Sequence, residues 1–177
     1  MSLPLAYAWI AAEPGPRMLI EARRLYGIKE TQGPANTPEI MAWAWELGPD
    51  VARVYSADSV PWCGLFMAVV AQRAGKTLPA SPLWARAWAT WGTASPKAEL
   101  GDVLVFIRDG GGHVGLYVAE DATTYHMLGG NQGDAVSIKR VLKSRCFAVR
   151  RSYKIGPPSN VRPIVLAPTG HLSTSEV

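Results

Sequence analysis

Through the first half of the chain, apolar residues recur at intervals of three and four positions, the spacing of one face of a helix. Prolines open and glycines close several of these segments, as is common at helix starts and ends. The pattern predicts four helices, over residues 16–26, 37–48, 63–75 and 83–91.

After Gly101-Asp102 the pattern changes to short runs of β-branched and aromatic residues, separated by turns that contain Gly or Asp. The predicted strands are residues 103–107, 114–118, 123–128, 136–138 and 146–149. Helices followed by strands with short connections predict an α+β fold with an antiparallel sheet.

Length predicts a single domain, because 177 residues suffice for one core and are few for two. We place this domain at residues 1–155. Residues 156–177 are rich in Pro, Ser and Thr and read as a tail without a core of its own, held down at residues 164–166.

Composition narrows the function. No apolar run approaches the roughly 18–20 residues of a membrane span, so we expect no stable membrane insertion. The N-terminal apolar stretch lacks a preceding basic residue and is interrupted by Pro4, which argues against a signal peptide. The formal charge of +4 favours acidic partners, but the basic residues are scattered and no nucleic-acid motif occurs, so we expect no nucleic-acid partner.

Two cysteines lie in different settings. Cys146 falls in an apolar strand pattern and is interpreted as a small packing residue with a free thiol. Cys63 lies in Pro61-Trp62-Cys63-Gly64, where a loop turns into a helix. A helix start favours the thiolate, the form in which cysteine attacks a carbonyl, and its N–H groups point to where an oxyanion would form.

An imidazole follows fifty residues later, where His113 leaves a glycine run and enters a predicted strand. A thiol at a helix start and an imidazole on a strand are the parts of a cysteine hydrolase. The third group, which orients the imidazole, has two candidates, Asn131 after Gly129-Gly130 and His126. They are five residues apart and would face opposite sides of a regular strand, so only one can serve, and we favour Asn131.

Taken together, these motifs resemble the papain-fold cell-wall hydrolases, namely the NlpC-type peptidases and their CHAP-domain relatives, and particularly a subgroup found in phages and prophages. The resemblance spans residues 25–151. It is carried by 58–63 (Asp-Ser-Val-Pro-Trp-Cys), 85–88 (Ala-Arg-Ala-Trp), 101–106 (Gly-Asp-Val-Leu-Val-Phe), 112–115 (Gly-His-Val-Gly) and 128–132 (Leu-Gly-Gly-Asn-Gln).

The resemblance implies a papain-like domain, with N-terminal helices packed on a five- to six-stranded antiparallel sheet. It further implies hydrolysis of peptidoglycan amide bonds, with Cys63 as nucleophile, His113 as base and Asn131 as orienter. The chain departs from the usual NlpC pattern about a dozen positions after the histidine, where it has Tyr125 and His126, so His126 stays an alternative third member.

Substrate contacts are predicted at three further residues. We expect Trp62 beside the groove, because substrate must reach its neighbour, whereas most of the seven tryptophans should be core. Arg86 is a candidate for binding a stem-peptide carboxylate, although a solvated arginine is the plainer interpretation. Gly112 lets substrate approach the backbone closely. Asp58 is expected to cap the catalytic turn.

No cofactor is expected and no metal site is predicted, because His113, His126 and His171 lack the spacing of a zinc set. The leading interpretation is a monomeric peptidoglycan hydrolase, either a stem-peptide endopeptidase or an N-acetylmuramoyl-alanine amidase. It would be made in the bacterial cytoplasm and would reach the wall by holin release as a phage endolysin, by virion delivery, or by secretion-system injection as a toxin. The alternatives from other classes are a non-catalytic wall-binding or virion structural module and a papain-fold acyltransferase.

Overall fold

The computed structural model describes residues 2–108, 110–168 and 172–173. Four α-helices occupy the first part of the chain, and their bounds are α1 Arg17–Arg24, α2 Pro38–Leu47, α3 Pro49–Val54 and α4 Cys63–Arg73. Three short 3₁₀ helices accompany them, at Leu5–Ala12, Ala85–Thr90 and Lys143–Arg145. None of the helices in the described part of the chain has the length and apolar character that a membrane crossing requires.

One six-stranded antiparallel sheet forms the second layer, with bounds β1 Thr93–Ala94, β2 Val103–Arg108, β3 Gly111–Glu120, β4 Thr124–Gly129, β5 Ser137–Leu142 and β6 Cys146–Arg151. The strand order is β1-β6-β2-β3-β4-β5, so the last strand lies between the first and the second. The predicted α+β class with an antiparallel sheet is therefore confirmed.

The main core lies between the helices and one face of this sheet, and α4 is its central element. Every residue from Cys63 to Ala71 is buried, as expected of a helix that packs on all sides. Val105, Val114 and Leu116 belong to this core. A smaller cluster on the other face of the sheet includes Phe106 and Tyr117.

Glycine allows the closest contact between α4 and a loop. A Cβ atom at Gly64 would lie 2.1 Å from the carbonyl oxygen of Leu83, so the backbone of Leu83 rests directly on the first turn of α4. The fourth predicted helix, which follows this contact, has a different form in the structure. Instead of a helix over residues 83–91, the chain forms a 3₁₀ helix that starts only at Ala85.

Other elements also differ from the prediction. The glycine run expected as a loop before His113 is partly strand, because β3 already begins at Gly111 and pairs with the end of β2. The short helix α3, which starts at Pro49, was not predicted; Gly48 ends α2 as expected, and Pro49 immediately opens another helix.

The tail packs on the domain over its described part. Tyr117 donates a hydrogen bond to the carbonyl of Ile164, and the backbone N–H of Leu166 donates to the carbonyl of Glu120. Asn160 donates to Glu13 and Gly15 near the start of the chain. His171 and the last four residues of the predicted tail lie outside the described residues.

Candidate active site

Cys63 is the first residue of α4 and is 7% exposed. The first intrahelical bond runs from the Phe66 N–H to the Trp62 carbonyl, so the N–H groups of residues 63–65 precede the hydrogen-bonded ladder. These donors and the positive end of the helix dipole surround the thiol. The geometry suits both a thiolate and an oxyanion formed beside it.

The thiol opens into a cleft of about 460 Å³. The walls come from the loop before α4, from the segment around Trp84 and from the glycine run ahead of β3. The lining residues are Val54, Tyr55, Val60, Pro61, Cys63, Leu83, Trp84, Ala85, Gly110, Gly111 and Gly112. Since none of these has a charged side chain, the described lining is uncharged and largely apolar.

His113 follows Gly112 of the cleft wall directly and is 1% exposed. It pairs with Phe106 across β2 and β3 and therefore shares that residue's side of the sheet, whereas Val114 points into the main core. The glycines that lead into His113, Gly110 to Gly112, carry no side chains and line the same cleft as Cys63.

The imidazole lies against the turn that follows β4. Its Nε2 atom is 3.4 Å from the position a Cβ would take at Gly129. The carboxamide of Gln132 is at the same place, with its Nε2 atom 3.2 Å from that position. His113 and Gln132 therefore both lie beside Gly129, and a Cβ at that glycine would crowd the Gln132 carboxamide and contact the imidazole.

Gln132 is a candidate that the sequence prediction missed. Its Nε2 donates to the carbonyls of Met127, Gly129 and Ser137 at 3.3, 3.2 and 2.6 Å. Its buried Oε1 atom has no hydrogen-bond partner among the described residues. The Gln132 side chain is thus held in place through its nitrogen.

Asn131, the predicted third member, is 5% exposed and has a left-handed backbone with φ of 55°. This conformation breaks the alternation of side chains that the prediction assumed. The Gly-Gly-Asn-Gln motif was recognised, but strand parity alone does not show that Gln132 returns to the side of Gly129.

His126 lies in a separate buried network and does not approach His113. Its Nδ1 is 2.9 Å from the Tyr7 hydroxyl, and its Nε2 is 3.1 Å from an oxygen of Asp121. Burial lowers the pKa of His126, and Asp121 opposes this shift only in part, so the ring is neutral at pH 7. A carboxylate only accepts, so Nε2 carries the proton and Nδ1 accepts from Tyr7.

Trp62 does not line the groove, contrary to our expectation. It is fully buried, its Nε1 donates to Glu30, and its ring lies under Gly130, where a Cβ would come within 2.8 Å of it. The tryptophan in the cleft is Trp84, which is 73% exposed. Exposure of one tryptophan rather than another depends on tertiary packing, so sequence alone did not distinguish the two.

Asp58 does not cap α4, which has no side-chain cap. Instead its carboxylate accepts from the backbone N–H groups of Thr31 and Thr37, and Asn36 accepts from the N–H of Asp58. Burial raises the pKa of Asp58, but these backbone bonds outweigh it and hold the pKa below its ordinary value. Asp58 therefore fixes the 31–37 loop beside the turn that leads into α4.

Arg86 lies at the rim of the cleft. Its Nε donates to the Gly111 carbonyl at 2.9 Å, and its Cγ is 3.1 Å from the Cβ position of Gly112. Arg86 thus supports the glycine run from outside.

No family model and no curated protein matches this chain. Within the described ranges, no group of three or more His, Cys, Asp or Glu side chains is arranged to hold a metal ion.

Proposed function

We propose that the protein is a papain-like cysteine amidohydrolase that cleaves an amide bond of bacterial peptidoglycan. The observation that carries the proposal is the cleft in which Cys63, at the start of α4, faces the glycine run that leads into His113. The substrate class rests on the motif resemblance and on the formal charge of +4, which suits a carboxylate-rich wall. No cofactor takes part in this chemistry.

In the proposed reaction the Cys63 thiolate attacks the amide carbonyl carbon, and the oxyanion accepts hydrogen bonds from the first turn of α4. The imidazolium of His113, formed when it takes the thiol proton, returns that proton to the leaving amine as the C–N bond breaks. Water, deprotonated by His113, then attacks the thioester and releases the acid and the thiol.

The carboxamide after the Gly129-Gly130 turn orients the imidazole. The contacts at Gly129 favour Gln132, through its unpartnered oxygen, over the sequence-predicted Asn131. An orienting residue acts mainly in the transition state. Replacing the carboxamide that orients His113 should therefore lower kcat about ten- to a thousandfold with little change in KM. Gln132→Glu and Asn131→Ala, compared for kcat, KM and the pH profile of kcat, identify which carboxamide has this role.

Arg86 and Gly112 are proposed as substrate contacts at the rim. Arg86 is placed to meet a stem-peptide carboxylate outside the uncharged part of the cleft, and Gly112 lets the peptide backbone approach the strand end. The enzyme is proposed to be made in the bacterial cytoplasm and to act on the wall after holin release, virion delivery or secretion.

Lysis of outer-membrane-permeabilised bacteria by the purified protein tests the function. Cys63→Ser and His113→Ala should both abolish lysis. Cys63→Ser should also leave the circular dichroism spectrum unchanged, because it replaces a small side chain at a helix start by one of similar size. Cys146→Ser is the matched control and should remain lytic. Lysis that persists in Cys63→Ser would refute thiol catalysis, and a wild-type protein without lysis or muropeptide release would refute the function.

The pairing of thiol and imidazole has its own test. If His113 serves Cys63, the alkylation rate of Cys63 should stay high well below pH 8 and should fall in His113→Ala. An alkylation profile that His113→Ala leaves unchanged would mean that the imidazole does not reach the thiol around the end of β3.

A further inference from the structure

The indole of Trp84 offers an exposed, flat aromatic face in the cleft that contains Cys63. It is 73% exposed, although it lines the same cleft as the buried Cys63. An exposed aromatic beside a nucleophile is available to a ligand without any rearrangement of the core.

The backbone that carries Trp84 is held in place on both sides. Leu83 rests on Gly64, the residue next to the nucleophile, with 2.1 Å between its carbonyl oxygen and the Cβ position. The Trp84 N–H donates to Ser81 at 3.0 Å, and its carbonyl accepts from Ala87 at 2.9 Å. The backbone from which the indole projects is therefore held against the first turn of α4, next to Cys63.

The other residues that line the cleft indicate which chemical groups can bind beside Trp84. Val60, Pro61 and Leu83 are apolar, and the Tyr55 hydroxyl is already used in a bond to the Pro61 carbonyl at 2.9 Å. A carboxylate placed here would lose its hydration without gaining a cation from these residues. The groups next to the scissile bond are therefore expected to be uncharged.

The amide bonds of peptidoglycan differ in this respect. The bonds within the stem that involve D-glutamate and diaminopimelate carry carboxylates next to the scissile carbonyl or amine. The amide between the muramic acid lactyl group and L-alanine has no carboxylate next to it: its flanking carbons carry methyl groups, an ether oxygen and the next amide, and a pyranose ring lies one ether bond away. The apolar face of a pyranose packs well on an aromatic ring.

We propose that Trp84 forms a subsite for the N-acetylmuramic acid ring, and that the scissile bond is the lactyl–L-alanine amide. The inference rests on the proposed hydrolase function for its bond assignment, whereas the sugar subsite itself rests only on the cleft. Of the two activities left open by the sequence, amidase and stem-peptide endopeptidase, the inference selects the N-acetylmuramoyl-alanine amidase.

Binding to inactive Cys63→Ala protein tests the subsite independently of catalysis. N-acetylmuramoyl-L-alanyl-D-isoglutamine should bind at least about tenfold tighter than L-alanyl-D-isoglutamine, which corresponds to about 1.4 kcal/mol. Trp84→Ala should remove this difference, and Trp84→Phe should keep much of it. Trp45→Ala is the matched control, because Trp45 is 67% exposed on α2 outside the cleft lining.

Mass spectrometry of walls digested by the wild-type protein tests the bond. Free L-alanine amino termini and peptide-free glycan support the proposal. Cleavage within the stem would overturn the bond assignment while leaving the hydrolase function intact. Equal binding of both ligands, or a Trp84→Ala variant that binds like wild type, would overturn the subsite. Sugar binding through Trp84 without any cleavage would refute the hydrolase and leave the subsite standing.

Discussion

Replacing His126 with alanine should lower the free energy of unfolding by about 3–5 kcal/mol and leave turnover by the folded protein unchanged. The bond from the Tyr7 hydroxyl contributes about 1 kcal/mol, and the charge-assisted bond to Asp121 about 1.5–3 kcal/mol. The space left by a fully buried ring adds about 1 kcal/mol. Asp121 keeps its bonds from Thr124 and Arg140, so its carboxylate is not orphaned.

Chemical denaturation and a wall-digestion assay at 25 °C together measure this prediction. For a chain of this size the loss corresponds to a fall in Tm of roughly 10 °C. Tyr7→Phe removes one hydroxyl and should cost only about 1 kcal/mol, and the double variant should cost less than the sum of the two. An unchanged unfolding midpoint combined with lost hydrolysis would refute the reasoning, because His126 would then belong to the reaction.

Three other outcomes follow from the structure. Cys63 should be alkylated at least about tenfold faster than Cys146, because burial raises the pKa of the Cys146 thiol to about 11. Peptide mapping after partial alkylation measures the two rates, and equal rates would contradict the prediction. Gly64→Ala should destabilise the protein by about 2 kcal/mol or more in urea melts, because Leu83 occupies the Cβ position, whereas a neutral effect would mean that the loop moves freely. Because the pKa of His126 is depressed in the folded state, the stability that this residue contributes is complete above about pH 6.5 and declines as the pH falls below that value. His126→Gln should therefore flatten the fall in Tm between about pH 6.5 and 5. An equally steep fall in the variant would contradict the assignment.

Local signals were enough for the order of helices and strands and for some of the boundaries, but not for α3 or for the 3₁₀ form of the segment after Trp84. Pro38 and Gly48 gave the bounds of α2 to within one residue, and Gly101-Asp102 marked the change from helices to strands. These residues act on the backbone near them, so their effect is visible in sequence. The long strand β3 exceeded its prediction because pairing with β2 extends it through the glycines of its start.

The candidate site was predictable as a set of motifs but not as a set of contacts. Cys63 and His113 stood out because the sequence pattern placed one at the start of a helix and the other at the start of a strand. Which tryptophan faces the cleft depends on tertiary packing: Trp62 packs against Gly130, and Leu83, the neighbour of Trp84, packs against Gly64. Both contacts join residues that are far apart in sequence. The place of Gln132 follows from one left-handed residue before it, which alternation rules do not anticipate.

The position of β6 in the sheet has a consequence for synthesis and truncation. Because β6 is made last and lies between β1 and β2, a nascent chain that stops before Cys146 leaves the edge of β2 unpaired along its length. An open apolar edge of this kind recruits strands from other chains. Shortened versions and insertions are therefore best placed beyond residue 173, because Leu172 and Ser173 still contact Arg140 on β5. A fragment ending within β5 or β6 is expected to aggregate rather than to yield a smaller folded protein.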